Sequence, residues 1–195
     1  LYESPFPEVF MTIPVRPMIF LFIATLSFAQ TVLAAKTEAV ASGKTAVTSV
    51  KAVLAPTEGN AVSGVVSFTQ MANGIKIVAD VSGLTPGEHG FHVHEWGDCS
   101  APDAMSAGSH FNPSDEPHGA PDALHHHAGD FGNLIADAAG KAHYEWIAHN
   151  ISLSGMHSIV GRGMIVHAKR DDLHSQPVGD AGARVACGVI GVVKP

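Results

Sequence analysis

From Ala46 onward, apolar residues recur in short runs separated by turn-forming residues. Ala46–Leu54 is followed by Pro56-Thr57-Glu58-Gly59-Asn60, then Ala61–Gln70, the pair Asn73-Gly74, Ile75–Val81, the pair Pro86-Gly87, and Gly90–Trp96. Apolar and polar residues alternate within Gly64–Phe68 and Lys76–Asp80. A period of two places one set of side chains on one face, which is the mark of a half-buried strand. The rhythm stops from Gly97 to about Asp130, a stretch rich in Gly, Pro, Asp, Ser and His. It resumes at Phe131–Ala136, Ala142–Ala148, Gly163–Ala168 and Ala183–Val193, with a second irregular segment from Lys169 to Gly182 before the last run.

Runs spaced this way predict an all-β fold: a Greek-key antiparallel barrel or sandwich of about eight strands, with two long loops. So long a loop in a compact domain is usually functional, so function is expected where the two loops meet. No amphipathic helix of three turns, internal repeat, glycine-rich phosphate loop or heptad pattern is visible.

The N-terminal pattern is different. Met11 opens a segment with one basic residue, Arg16, and an apolar run from Met18 to Ala29. That run falls short of the roughly 20 apolar residues a membrane span needs, but it fits the core of a secretory signal. Small residues at Val32-Leu33-Ala34 place the cut near Ala34 or Ala35. The expected organisation is an upstream or non-native segment over 1–10, a signal peptide over 11–35, a flexible leader over 36–44 and one domain over 45–195. The mature protein is expected outside the cytoplasm, with no stable membrane association.

Charge narrows the function classes. The chain has formal charge -7, with 11 Lys plus Arg and 18 Asp plus Glu. An acidic chain without a basic stripe is a poor nucleic-acid partner. Only two cysteines occur, Cys99 and Cys187. In an exported chain such a pair reads as one disulfide, and closing so long a loop is worth about 4 to 5 kcal/mol in the chain-entropy account.

Histidine is the anomaly: 13 residues, more than Lys and Arg together. Eight lie between His89 and His127, so the excess needs a local cause. In GFHVHEWGDC, His92 and His94 are two apart and on a strand present both rings to one side. His110 follows in GSHFNP, then His118, His127 and Asp130 in PHGAPDALHHHAGDFGN. Three imidazoles and a carboxylate suit zinc, and a loop too polar to build a core can be ordered by a metal instead. His167 ends the run GMIVH beside the second loop. With His92, His94 and His110 it makes a four-nitrogen set suited to copper, with His110 then shared between two ions.

These motifs resemble the copper/zinc superoxide dismutase family. GFHVHE, GSHFNP, HAGDFGN, GRGMIVHAKRDDL and GDAGARVACGVIG are similar to its signatures, in order, from about Thr45 to the C-terminus. The resemblance implies copper, one per subunit, on His92, His94, His110 and His167. It implies zinc, one per subunit, on His110, His118, His127 and Asp130. The run His125-His126-His127 leaves a choice that the spacing to Asp130 resolves for His127, with His125 or His126 as the substitute. The resemblance further implies a Cys99–Cys187 disulfide, Arg184 as an anion dock beside copper, and Asp171 as a carboxylate bonded to a histidine of each metal. His89 and His157 match structural histidines; His143, His149 and His174 have no assigned role.

The implied activity is conversion of two superoxide anions to dioxygen and hydrogen peroxide by copper redox cycling with structural zinc. His110 would take a proton when it leaves copper and give it to the peroxide. The sequence departs from the animal cytosolic branch in the short segment Leu173–Gly179, which lacks that branch's channel-entrance charges. Steering would fall to Arg184, with Lys169 or Arg170 as further cations. Cys99 lies closer to His94 than in that branch, resembling exported bacterial members, which implies a bacterial periplasm as the compartment. A homodimer is compatible with apolar C-terminal residues such as Val189 and Val192.

Two other readings use the same residues. One is a non-catalytic exported copper or zinc buffer or chaperone; the other is a β-sandwich adhesion module with a relic site. A shared His110 and a docking Arg184 would separate an enzyme from a store, and the filled ligand positions disfavour a relic.

Overall fold

The computed structural model describes residues 46–194. The expected upstream segment 1–10, signal peptide 11–35 and leader 36–44 lie outside the described residues. Eight strands follow in order: β1 Ser49–Pro56, β2 Ser63–Met71, β3 Gly74–Ser82, β4 Gly87–His94, β5 Asp130–Ala136, β6 Lys141–Ala148, β7 Gly163–His167 and β8 Arg184–Val192. All neighbours pair antiparallel, in the order β5-β4-β7-β8-β1-β2-β3-β6. β5 and β6 approach each other at the remaining gap, so the sheet curls into a nearly closed barrel. Eight strands match the expectation, and the crossings from β3 to β4 and from β6 to β7 give it Greek-key form.

The strands form because their inward positions are apolar at period two. In β3, Ile75, Ile77, Ala79 and Val81 point inward, and in β1 Val50, Ala52 and Leu54 do the same. Phe131 lies between Phe68 and Phe91 at centroid distances of 6.3 and 6.0 Å. Burying each such side chain contributes on the order of 2 kcal/mol, so the barrel supplies a stiff frame without help from the loops.

β4 breaks the alternation, and the reason leads to function. From His89 to His94 every residue is buried. Phe91 and Val93 face the barrel core, whereas His92 and His94 lie on the other side under the long loop between β4 and β5. That loop is tied back at two places. Val93 and Phe111 exchange backbone hydrogen bonds with Gly129 and each other, and the Cys99–Cys187 disulfide joins the loop to β8 with Cα atoms 5.8 Å apart. The sequence-based strand limits hold to within a few residues. β4 starts at Gly87 and not Gly90, because Gly87–Gly90 pairs with Asn133–Ala136.

Candidate metal centre

His92 and His94 on β4, His167 at the end of β7 and His110 from the loop converge on one point. One ligand atom from each lies within 4.8 Å of those of the others, and all four residues are buried. His110 also belongs to a second group of the same tightness with His118, His127 and Asp130. The rings of His92 and His110 are 4.0 Å apart by centroid. All seven ligand residues expected from the sequence are therefore brought together, with His110 between the two groups.

Hydrogen bonds to the outer ring atoms decide which nitrogen faces each group. His92 Nε2–H donates to Asp171 Oδ2 at 2.7 Å, so Nδ1 is the inward atom. His94 Nδ1–H donates to the Gly108 carbonyl at 3.0 Å and His167 Nδ1–H to the Gly182 carbonyl at 3.1 Å, so both present Nε2. These two Nε2 atoms lie 3.4 Å apart, lone pair facing lone pair. A cation between them converts a repulsion into two bonds.

In the second group, His110 Nδ1 lies 2.7 Å from Asp130 Oδ1. His118 Nδ1 and His127 Nδ1 are 3.0 and 3.3 Å from the same carboxylate, without the alignment of a hydrogen bond. Asp130 Oδ2 accepts the backbone N–H groups of Gly119 and His127, which fixes the carboxylate plane. Among the described residues, five buried side-chain polar atoms lack a hydrogen-bond partner: His126 Nδ1, outside the two groups, and within them His92 Nδ1, His110 Nε2, His118 Nδ1 and His127 Nδ1. Leaving buried polar atoms unpaired costs about 1–3 kcal/mol each, and four of them aimed into two small volumes fit metal ions, not an apolar core. The donor sets match copper for the imidazole group and zinc for the group that includes Asp130.

Electrostatics separates the two halves. Burial, with the neighbouring histidines, pushes His94 and His167 well below the usual 6.5 and lowers His110 to about 3. Burial also works against protonation of His118, but the Asp130 and Asp171 carboxylates outweigh it and raise that group to about 9. Burial would raise Asp130 and Asp171, yet the bond to His110 with the close rings of His118 and His127 holds Asp130, and hydrogen bonds from His118 and His92 hold Asp171, below the usual carboxylate range.

Asp171 spans the two groups: Oδ2 accepts from His92 and Oδ1 from His118 at 3.0 Å. Its own main chain is clamped by Asn133, which donates to Asp171 O and accepts from Asp171 N. Arg184 stands at the mouth of a cavity of about 440 Å³ whose walls include His94, His110 and His167. Its Nη1 and Nη2 groups donate to the carbonyls of Ala104 and Gly108, each at 2.6 Å. Burial lowers its pKa, but a guanidinium stays charged.

The histidine run resolves as the spacing to Asp130 indicates. His127 turns inward, His125 turns out to Glu116 at 2.9 Å, and His126 lies against Asn150. His89 binds the His167 carbonyl at 2.8 Å and Thr85, and His157 binds the Asn150 carbonyl at 2.9 Å, both as structural side chains. His143 is exposed and paired with Asp80. Of the two auxiliary cations, Arg170 is paired with Glu88 at 3.0 Å, and Lys169 packs its chain against Gly182. Sequence reasoning missed the carbonyls of Ala104, Gly108 and Gly182, since a main-chain acceptor has no residue-type signature. It also missed Met105, which lines the mouth beside Arg184.

A nearly closed Greek-key barrel with two adjoining metal sites that share one histidine defines a copper- and zinc-dependent β-barrel protein. The comparisons make this particular. The copper/zinc superoxide dismutase family profile matches residues 62–190. An extracellular Cu-Zn superoxide dismutase of Brugia pahangi is 43% identical over 150 residues, covering 72% of this chain and 74% of its own. The crystal structure of the clock protein EA4 superposes with a TM-score of 0.69 at 42% identity, over 75% of this chain and 95% of that one. The chain belongs to the copper/zinc superoxide dismutase family, with the copper and zinc sites both intact.

Proposed function

We propose that this enzyme works as an exported dismutase of the bacterial periplasmic kind, with Arg184 docking superoxide, His110 carrying a proton and Asp171 positioning ligands of both metals. The placement of Cys99 five residues after His94 and the single disulfide support export. We further propose that it pairs with a second copy of itself through the exposed apolar face that carries Val53, Trp96 and Val189.

Two superoxide anions and two protons give one dioxygen and one hydrogen peroxide. Copper on His92, His94, His110 and His167 supplies the one-electron oxidation and reduction when bound, and zinc supplies fixed positive charge beside it. The chain's residues do the rest. Arg184 offers a fixed cation and N–H donors at the cavity mouth, which matters because the chain as a whole is acidic and repels anions. Because Asp130 holds the Nδ1 side of His110, its Nε2 can release and regain a proton without losing position. Asp171 fixes the tautomers of His92 and His118 together, so the two halves keep one geometry.

The observation that carries this reading is Arg184, pinned by two carbonyls at 2.6 Å above a floor of copper-site histidines. A buffer or chaperone has no use for an anion dock. The test is stopped-flow superoxide decay on the metal-loaded protein, with and without a copper chelator, beside Arg184→Gln. The chelator should abolish turnover, and the variant should lose about tenfold or more in rate at unchanged metal content. Full metal content without chelator-sensitive turnover would favour the buffer; an unchanged rate in the variant would reject the dock.

A further inference from the structure

We infer that Met105 is an entry ligand for copper(I), capturing the ion at the cavity mouth and passing it inward to His94 and His167. The inference rests on the assignment of copper to the four-histidine group.

Met105 is 61% exposed and borders two adjoining cavities, the one of about 440 Å³ above the histidines and one of about 570 Å³ beside it. Both are also walled by Arg184. Met105 opens the short turn Met105–Ala107 and is anchored there, since its N–H donates to Asp103 Oδ1 at 3.0 Å. The two carbonyls that grip Arg184, those of Ala104 and Gly108, flank this turn. The side chain therefore stands at the gate on a held backbone.

The gate has two opposed duties. During turnover it must admit an anion, which the Arg184 guanidinium favours. During loading it must admit a copper cation, which the same guanidinium repels. Glu58 and Asp103 line only the cavity of about 570 Å³; a carboxylate in the one above the histidines would draw the cation but turn superoxide away. A neutral thioether leaves the anion path undisturbed and still binds copper(I), because soft sulfur donors select that ion. Leucine would cover the same surface without the sulfur. Deeper in, the unprotonated Nε2 atoms of His94 and His167 lie 3.4 Å apart and complete the path. In the transfer, bonds from nitrogen to copper form as the bond from sulfur breaks. Copper stays in the +1 state, and no proton or electron moves.

Met71 and Met156 are also exposed, but neither borders the two cavities, so they serve as internal controls. The test uses zinc-loaded, disulfide-intact protein under anaerobic conditions, with copper(I) supplied as its bicinchoninate complex. Loss of the complex's absorbance follows uptake. Met105→Leu should slow copper(I) uptake about tenfold and leave copper(II) uptake, final copper content and the superoxide rate of the filled protein unchanged. In a second measurement, silver(I) is added as a redox-inert stand-in to protein with 13C-labelled methionine methyls. The Met105 resonance should shift first while those of Met71 and Met156 stay put. Equal copper(I) uptake by both proteins, or an unmoved Met105 resonance while silver occupies the histidines, overturns the inference alone. A wild type that draws no copper(I) from bicinchoninate overturns the copper assignment beneath it.

Discussion

His110 and His118 lie with ring centroids 5.3 Å apart, yet the fold gives them opposite protonation. Burial, with its histidine neighbours, leaves His110 neutral down to about 3, whereas the two carboxylates keep His118 protonated up to about 9. The copper-facing nitrogens of His94, His110 and His167 are thus ready to bind near neutral pH, but His118 must first give up a proton. Zinc binding to the metal-free protein at pH 7.5 should therefore release about one proton, and copper binding markedly fewer. Titration calorimetry in buffers of different ionisation enthalpy measures the difference; equal release for both metals would contradict it. Metal-free stability follows from the same shifts. The lowered His110 stabilises above the unfolded value of 6.5 and loses that contribution as pH falls toward 3, with His94 and His167 acting in the same direction, whereas the raised His118 stabilises below 6.5 and loses its share as pH rises to 9. Three lowered groups against one raised group make acid the more damaging direction.

At the scale of elements, the barrel strands hold three copper ligands and, at the start of β5, Asp130, while the loops supply the rest, so site geometry depends on how the loops are pinned. The segment from Asp171 to Gly182 is pinned partly by Gly179. Its φ of 71° suits glycine, and a Cβ there would run into Asp171 Oδ1 and lie 2.5 Å from His118 Nε2. Gly179→Ala should therefore push the loop off both groups and weaken zinc binding by about 10- to 100-fold, as loss of an outer hydrogen-bond partner does. The barrel should melt normally. A competition titration with a zinc chelator reads the affinity, and an unchanged value would show that the loop yields without disturbing Asp171. This dependence also explains what the sequence could reveal. His92 and His94 were legible because a strand's period of two imposes their shared face. His127 was legible through its fixed spacing to Asp130. Arg184 and Asp171 entered only through family resemblance, since loop residues obey no period. Met105 and the clamping carbonyls of Ala104 and Gly108 were invisible, because their role comes from where a turn lands in space.

For the whole molecule, the acidic balance and the exposed apolar face pull in opposite directions. Net charge keeps copies apart, but Val53 at 71%, Trp96 at 62% and Val189 at 45% exposure leave large side chains in water. They are neighbours through the strands beneath them. A Cβ on Gly188 of β8 would meet the Val53 carbonyl of β1, and one on Gly97, next to Trp96, would touch Val189 Cγ1. The face is apolar at Val53, Trp96 and Val189 and flat at Gly191, with the exposed Lys51 opposite Gly191, so two copies can meet across a twofold axis where Lys51 stays solvated at the rim. It also lies on β1 and β8, so pairing would brace the strand to which the disulfide anchors the metal loop. Sedimentation velocity should give a dimer at micromolar concentration, and Val189→Asp a monomer, because each interface would then bury two like charges. The Trp96 emission should shift to longer wavelength on dilution, a change lost in Trp96→Phe while Trp146 still reports folding. A wild type that sediments as a monomer at 100-fold higher concentration, or a Val189→Asp variant that remains a dimer, would rule this face out as the subunit contact.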